Sequence, residues 1–370
     1  EKVPLNKQKI IMNKQKIKIA CGGYHSLLWT KQGTVYSWGE NEYGQCGIGM
    51  EQYQAKPTKI DTFEKLKGTS EKIKQIELGG AFSLALTDKG TVYSWGSNTS
   101  GQCGIENEEV VKPTKISFFD ELRTETVTQI LSGSSHAFAI TNTGNIYVWG
   151  ANKYGQCGVN KEIRQCGEKK EELNYIVEPI NLKKETGMRD TIVKKIATGH
   201  EHTLMLTDKG KLYSWGMNNY GQCGLATTEK VVWKPTEVAA FDLLLKSNET
   251  IIDIGASGVH SYALTDKGNF YGWGSNKYGQ CGIGTKGKIN IGIPELIHFK
   301  NKQPKVLTQI VGGGFHMIAL SDDDTLYCWG RNNNDQCGID SDKKNIITPQ
   351  KMMEFAQLNQ IDIEPKKNSC

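Results

Sequence analysis

Six times the chain carries a Trp-Gly pair and, seven residues past each Trp, the triplet Gln-Cys-Gly. The tryptophans are Trp38, Trp95, Trp149, Trp215, Trp273 and Trp329, spaced 54 to 66 residues apart. A chain that repeats itself at this period must fold as an array of like units, and that excludes most folds at once. Three further words keep step. A Gly-rich word precedes each Trp-Gly, as in GGYHSLLWTKQG from Gly22, GGAFSLALTDKG from Gly79 and GHEHTLMLTDKG from Gly199. A proline follows it, at Pro57, Pro113, Pro179, Pro235, Pro294 and Pro349. An apolar word such as KIKQIELGG or KVLTQIVGG leads into the next unit.

Segments such as SLALT and TVYSW alternate with the period of two that half-buried strands show. Thr-Asp-Lys-Gly between them reads as a hairpin turn with glycine where positive φ is needed. Two more short strands, of the type IKQIEL and PTKI, complete each unit. The expected fold is all-β, a β-propeller of four-stranded antiparallel blades. A single domain over 1–370 is expected, with repeats near 17–60, 73–116, 126–182, 191–238, 250–297 and 306–352. A helical solenoid would need a 3.6 period, and parallel β-helices repeat over shorter lengths. One large aromatic per blade would fill the wedge between neighbours, its indole N–H needing an acceptor. The 41 glycines against 9 prolines fit many tight turns.

The residue types argue against several chemistries. A net charge of +5 from 45 basic and 40 acidic residues is too even for a nucleic-acid footprint. No apolar run approaches the ~20 residues of a membrane span. Cys46, Cys103, Cys157, Cys223, Cys281 and Cys337 occupy one place in successive units, too far apart for disulfides and without Cys-x-x-Cys spacing. They read as small buried hydrophobes in a reducing compartment. Cys21, Cys166, Cys328 and Cys370 fall outside the series, with no base or partner visible from the sequence. His25, His136, His202, His260 and His316 share a slot that Phe82 takes in the second unit. They read as ties to backbone carbonyls rather than metal ligands. No phosphate-binding loop or nucleophile elbow occurs. No catalytic, cofactor-binding or metal-binding residue is expected.

The stretch GYHSLLWTKQGTVYSWGENEYGQCGIG, from Gly23 to Gly49, resembles the regulator of chromosome condensation repeat, with Cys in place of the usual Leu in all six copies. The resemblance spans 17–352 and implies seven blades. Pro4 resembles a closing strand and Leu358 to Ile363 an opening one. The seventh blade is therefore expected from 353–370 and 1–16, incomplete in this chain. The family's founding member is a nucleotide exchange factor for a small nuclear GTPase and carries a wedge inserted after one Trp-Gly. Here every Trp-Gly runs on without insertion, and the longest spacing arises from Val159 to Asp190, read as a solvated loop. The family's plant photoreceptor uses Gly-Trp-Arg-His-Thr words, whereas the slots before the histidines here hold neither Trp nor Arg.

The resulting expectation is a non-enzymatic scaffold or adaptor within a larger assembly, in the cytoplasm or associated with the cilium or cytoskeleton. The alternative is a guanine-nucleotide exchange factor or regulator of a small GTPase. The expected partner is a protein, presenting an acidic surface or being a small GTPase. Candidate partner-binding residues are Lys286, Lys288, Lys300, Lys302 and Lys305, set against the single acid Glu295.

Overall fold

The computed structural model describes residues 17–354 apart from 108, 161, 167–168, 247, 285–287, 300–306, 324 and 340. The side chains of 67, 162–173 and 353–354 are likewise not described. Six four-stranded sheets follow one another, each with its strands in chain order. In blade one the strands, here a to d, are Lys18–Cys21, His25–Trp29, Val35–Glu40 and Tyr53–Lys59. Blade two repeats them as Ile73–Leu78, Phe82–Thr87, Val92–Ser97 and Glu109–Lys115. All pairs are antiparallel, as the alternating segments and Gly turns require. The turn glycines Gly33, Gly90, Gly144, Gly210 and Gly268 have φ of 75° to 88°, as read from the sequence. Neighbouring blades meet mainly through their a strands, which places those strands nearest the axis.

The seams between blades explain the repeated words. In the first seam, Trp95 Nε1 of blade two donates to the Gln45 carbonyl of blade one at 2.9 Å. The same bond joins Trp149 to Gln102, Trp215 to Gln156, Trp273 to Gln222 and Trp329 to Gln280, at 2.9 to 3.0 Å. All five of these indoles are wholly buried. The glycine of Gln-Cys-Gly is their floor. A Cβ on Gly224 would lie 2.8 Å from Trp273 Nε1, and the residue has φ +72°. The Gly of Trp-Gly serves a second close approach, since a Cβ on Gly96 would sit 2.6 Å from the Ala81 carbonyl. A short helix or 3-10 turn after strand d adds a phenylalanine to three of the seams. Phe63, Phe119 and Phe241 stand edge-on to Trp95, Trp149 and Trp273.

The cysteine series is buried, each Sγ near the carbonyl that follows the Trp-Gly. Burial pushes the Cys46 thiol up to about 11 and those of Cys103 and Cys223 to about 12. One departure was not visible from spacing. Cys328, where three other blades have a serine, lies near Cys337, and the neighbouring sulfur holds the Cys328 thiol up while Cys337 is drawn down.

Two features differ from the sequence reading. The insert between Val159 and Asp190 is not all loop: Glu162–Cys166 and Lys169–Leu173 pair as a separate antiparallel hairpin. Its mixed charges lack the apolar alternation that marks the blade strands, so cross-strand pairing left no trace in the pattern. The segments assigned to the seventh blade, 1–16 and 355–370, lie outside the described residues. Among the described residues, no Trp-to-Gln bond joins blade six to blade one, and Trp38 is only half-buried. Asp335 of blade six, at φ 55°, holds the place where the other five blades have glycine.

The two glycine environments give a paired test. Gly33 also has positive φ, +86°, but a Cβ there meets nothing within 4 Å. Gly33→Ala should cost about 1 kcal/mol, the strain of the left-handed conformation alone. Gly224→Ala should cost at least twice that, because the Trp273 seam must open as well. Urea unfolding midpoints of the two variants measure the difference.

Candidate interaction face

Strand register sorts the loops onto two faces. His25 pairs with Gly39, so the start of strand b lies beside the end of strand c. The a–b links and c–d loops therefore share one face, and the b–c turns lie on the other. The c–d loops are braced from within. In blade one, the Cys46 N–H donates to Asn41 Oδ1 at 2.8 Å and Tyr43 N donates to Gln45 Oε1 at 3.0 Å. The Asn bond recurs in all six blades. These loops are rigid mounts for the two side chains at their tips.

The tips carry Glu42 and Tyr43, Thr99 and Ser100, Lys153 and Tyr154, Asn219 and Tyr220, Lys277 and Tyr278, and Asn333 and Asn334. The a–b links add Tyr24, Ala81, Ser135, Glu201, Val259 and Phe315. Tyr24 is 75% exposed, Tyr43 49%, Tyr220 39% and Phe315 37%, so large rings stand in water along this face. At the seam of blades five and six, Tyr278 and Phe315 meet edge-on with centroids 5.3 Å apart. The Arg331 guanidinium lies 5.3 Å from the first ring and 5.9 Å from the second. Its Nε donates to Asn333 Oδ1 at 2.6 Å. Lys277 Nζ sits 5.4 Å from the Tyr278 centroid. Cations held on ring faces are preorganised for an incoming group. At the seam of blades three and four, Lys153 lies over Tyr154 and the Gln156 amide donates to Glu201. Burial, opposed by Lys153, raises the Glu201 carboxyl to about 7.

Glu125 accepts from Thr141, Thr143, Asn145 and Tyr147. Burial alone would raise its carboxyl, yet these donors hold it at about 2. Of the five lysines singled out from the sequence, only Lys288 is described. Its Nζ pairs with Glu295 at 3.0 Å, close to the c–d loop of blade five. Lys286, Lys300, Lys302 and Lys305 lie outside the described residues.

The histidines do not bind carbonyls directly, as the sequence reading had it. His25 Nε2 meets Ser83 Oγ of the next blade at 2.8 Å, and that hydroxyl donates to the Gln45 carbonyl at 2.9 Å. The hydroxyl has one proton, so the ring must present Nε2–H. His202 makes the same relay through Ser261 to Gln222, and His136 through Thr203 to Gln156. His260 meets Met317 Sδ at 3.1 Å instead. Where Phe82 replaces the histidine, the next blade has Ala137 in place of the hydroxyl. Among the described residues, no group of three or more His, Cys, Asp or Glu could hold a metal ion. No helix there is long and apolar enough to cross a membrane.

Comparison with known proteins agrees with the repeat reading. A family model described as the RCC1-like domain matches residues 1–355. The Arabidopsis thaliana ultraviolet-B receptor UVR8 is 31% identical over 327 residues, 88% of this chain and 67% of its own length. A probable E3 ubiquitin-protein ligase of Rattus norvegicus, HERC4, is 34% identical over 61% of this chain, yet the chain spans only 20% of it. Among solved structures, Saccharomyces cerevisiae Prp20p, described with its binding properties to Gsp1p and histones, has TM-score 0.72 and 25% identity, covering 92% of this chain and 77% of that one. Human WBSCR16 has TM-score 0.72 at 24% identity, covering 92% and 82%, a likeness of fold.

Burial holds His25 down at about 4 and His136, His202 and His260 at about 3. Above pH 6.5 the rings are neutral both folded and unfolded. As pH falls from 6.5 toward 3, only the unfolded chain takes up their protons, so stability is lost across that window. The urea midpoint should be lower at pH 5 than at pH 7. The double variant His202→Phe/Ser261→Ala, which copies the Phe82 and Ala137 seam, should shrink that drop; an unchanged drop would count against the assignment.

Proposed function

This chain belongs to the RCC1-like domain family, and on that premise we propose that it is a non-enzymatic protein-interaction platform, one propeller that presents its a–b and c–d loop face to a protein partner. The observation that carries this is the arc of exposed rings on braced loops, with Lys277 and Arg331 seated on Tyr278 and Phe315. Among the described residues neither cation is paired with a carboxylate. Tyr and Arg are the residue types that dominate protein interfaces, and a rigid mount reduces the ordering cost of binding. The two cations fit a partner with acidic groups at that corner. The free thiols fit a reducing compartment, for which the cytoplasm, in association with the cilium or cytoskeleton, is our reading.

A second reading, regulation of a small GTPase by nucleotide exchange, is favoured by the likeness to Prp20p. Against it stands the absence of any insertion between a Trp-Gly and its Gln-Cys-Gly. Release of fluorescent GDP from a GTPase panel, stimulated by this protein, would establish the second reading over the first.

Cross-linking mass spectrometry of the native protein tests the platform. Cross-links to the partner should run through Lys153 and Lys277. Cross-links concentrated on Lys89, Lys209 and Lys267 of the opposite turns would overturn the choice of face. Tyr278→Ala with Phe315→Ala should weaken partner capture about tenfold or more, the scale of a central aromatic anchor.

A further inference from the structure

The six repeats serve as controls for one another, and blade one breaks their pattern at a single turn. The b–c turn reads Leu-Thr-Asp-Lys-Gly at Leu86, Leu206 and Leu264, and Ile-Thr-Asn-Thr-Gly at Ile140. In three of these turns the acid or amide at the third place accepts a backbone N–H. Asp88 Oδ1 accepts from Lys72 N at 3.0 Å, Asn142 Oδ1 from Thr126 N at 2.9 Å, and Asp266 Oδ1 from Thr250 N at 3.0 Å. In blade one the turn is Trp-Thr-Lys-Gln-Gly, so Trp29 stands where the others have Leu or Ile, and Lys31 where they have Asp or Asn. An ammonium cannot accept a backbone N–H, and the charge at this place is reversed.

The exchange coincides with a cavity. Between blades one and two, at the b–c end, an open pocket of ≈ 550 Å³ is lined by Lys18, Trp29, Lys31, Lys72, Lys74 and Asp88, with Thr30 and Ile73. Lys18 Nζ lies 5.8 Å from the Trp29 ring centroid and donates to the Lys74 carbonyl at 3.1 Å. Lys74 Nζ donates to the Thr128 carbonyl at 2.6 Å. The Lys18 ammonium is thereby fixed beside the pocket by a neutral oxygen, which leaves its charge uncompensated, while that of Lys74 reaches over to blade three. Among the described residues none of the four lysines is paired with a carboxylate. Asp88, the one acid in the wall, is occupied by the Lys72 N–H. At the corresponding seam of blades four and five, Lys195 is paired with Asp253.

We propose that this pocket binds a small, multiply phosphorylated anion. Lys18, Lys31 and Lys72 around one concavity supply several separate positive charges and no guanidinium fork, which suits clustered tetrahedral phosphates better than single planar carboxylates. The volume is that of a small-molecule site, and its concave walls concentrate the positive potential. The pocket lies at the opposite end of the blades from the aromatic face, so the proposal stands apart from the platform reading.

The test is calorimetric titration of the whole chain with tripolyphosphate at about 0.15 M salt, where loose surface attraction is largely screened. The unaltered protein should bind it. Lys31→Asp, which restores the residue type of the other repeats, should weaken binding at least about tenfold while leaving the urea midpoint unchanged. Lys209→Asp, the same exchange one place along another turn, should have no effect. Lack of binding by the unaltered protein, equal loss in Lys209→Asp, or unchanged affinity in Lys31→Asp would overturn the site. Oligoglutamate of matched charge, or a single-stranded DNA oligomer, binding as tightly as tripolyphosphate would overturn the ligand class.

Discussion

One backbone carbonyl organises this protein. The Gln45 oxygen receives both the Trp95 indole N–H and the Ser83 hydroxyl from the neighbouring blade. A buried carbonyl has two lone pairs, and here both are used across the seam. Leaving either donor unpaired in a dry wedge costs roughly 1–3 kcal/mol, whereas each bond made contributes only about 1. The asymmetry makes seam residues hard to change singly and simple to change in pairs. Phe82 and Ala137 show a paired change, an apolar couple in place of the His and hydroxyl couple.

Rigidity at the seam has a counterpart at the surface. The glutamine whose backbone holds the next blade uses its side chain to fix the tyrosine two residues before it, as in Tyr154 N to Gln156, Tyr220 N to Gln222 and Tyr278 N to Gln280. A packing constraint in the wedge is in this way transmitted to the position of an exposed ring. The tip residues outside that bond are free to vary, from Glu42 to Lys153 to Lys277. Architecture and the display of exposed side chains thus share one seven-residue loop.

The blades were legible in the sequence because every element of them recurs, and recurrence turns a weak local pattern into a strong one. Strand alternation, turn glycines and one Trp per blade all follow from that. The hairpin after Cys157 was not legible, since it occurs once and its sequence carries no apolar alternation. The Cys328 and Cys337 contact was missed for a related reason: it joins a repeated residue on the c–d loop to an unrepeated one on strand c. The aromatic corner at Arg331 was hidden as well, because its members, Tyr278, Phe315 and Arg331, are far apart in the chain and meet only when two blades stack. The lysine-rich segment around Lys288 drew attention by composition, a property that carries no information about neighbours in space.

The seam also has a direction. In each of the five described seams the carbonyl belongs to the earlier blade and the indole to the later one. A blade thus has a socket side and a plug side, and no two blades can join socket to socket. Such a joint is indifferent to how many blades precede it. Whole units could be gained, lost or exchanged by recombination without redesigning the Trp-to-Gln bond, while an inverted unit could never be accommodated. The number of blades in such a protein is a matter of curvature, and their order and orientation a matter of hydrogen bonding.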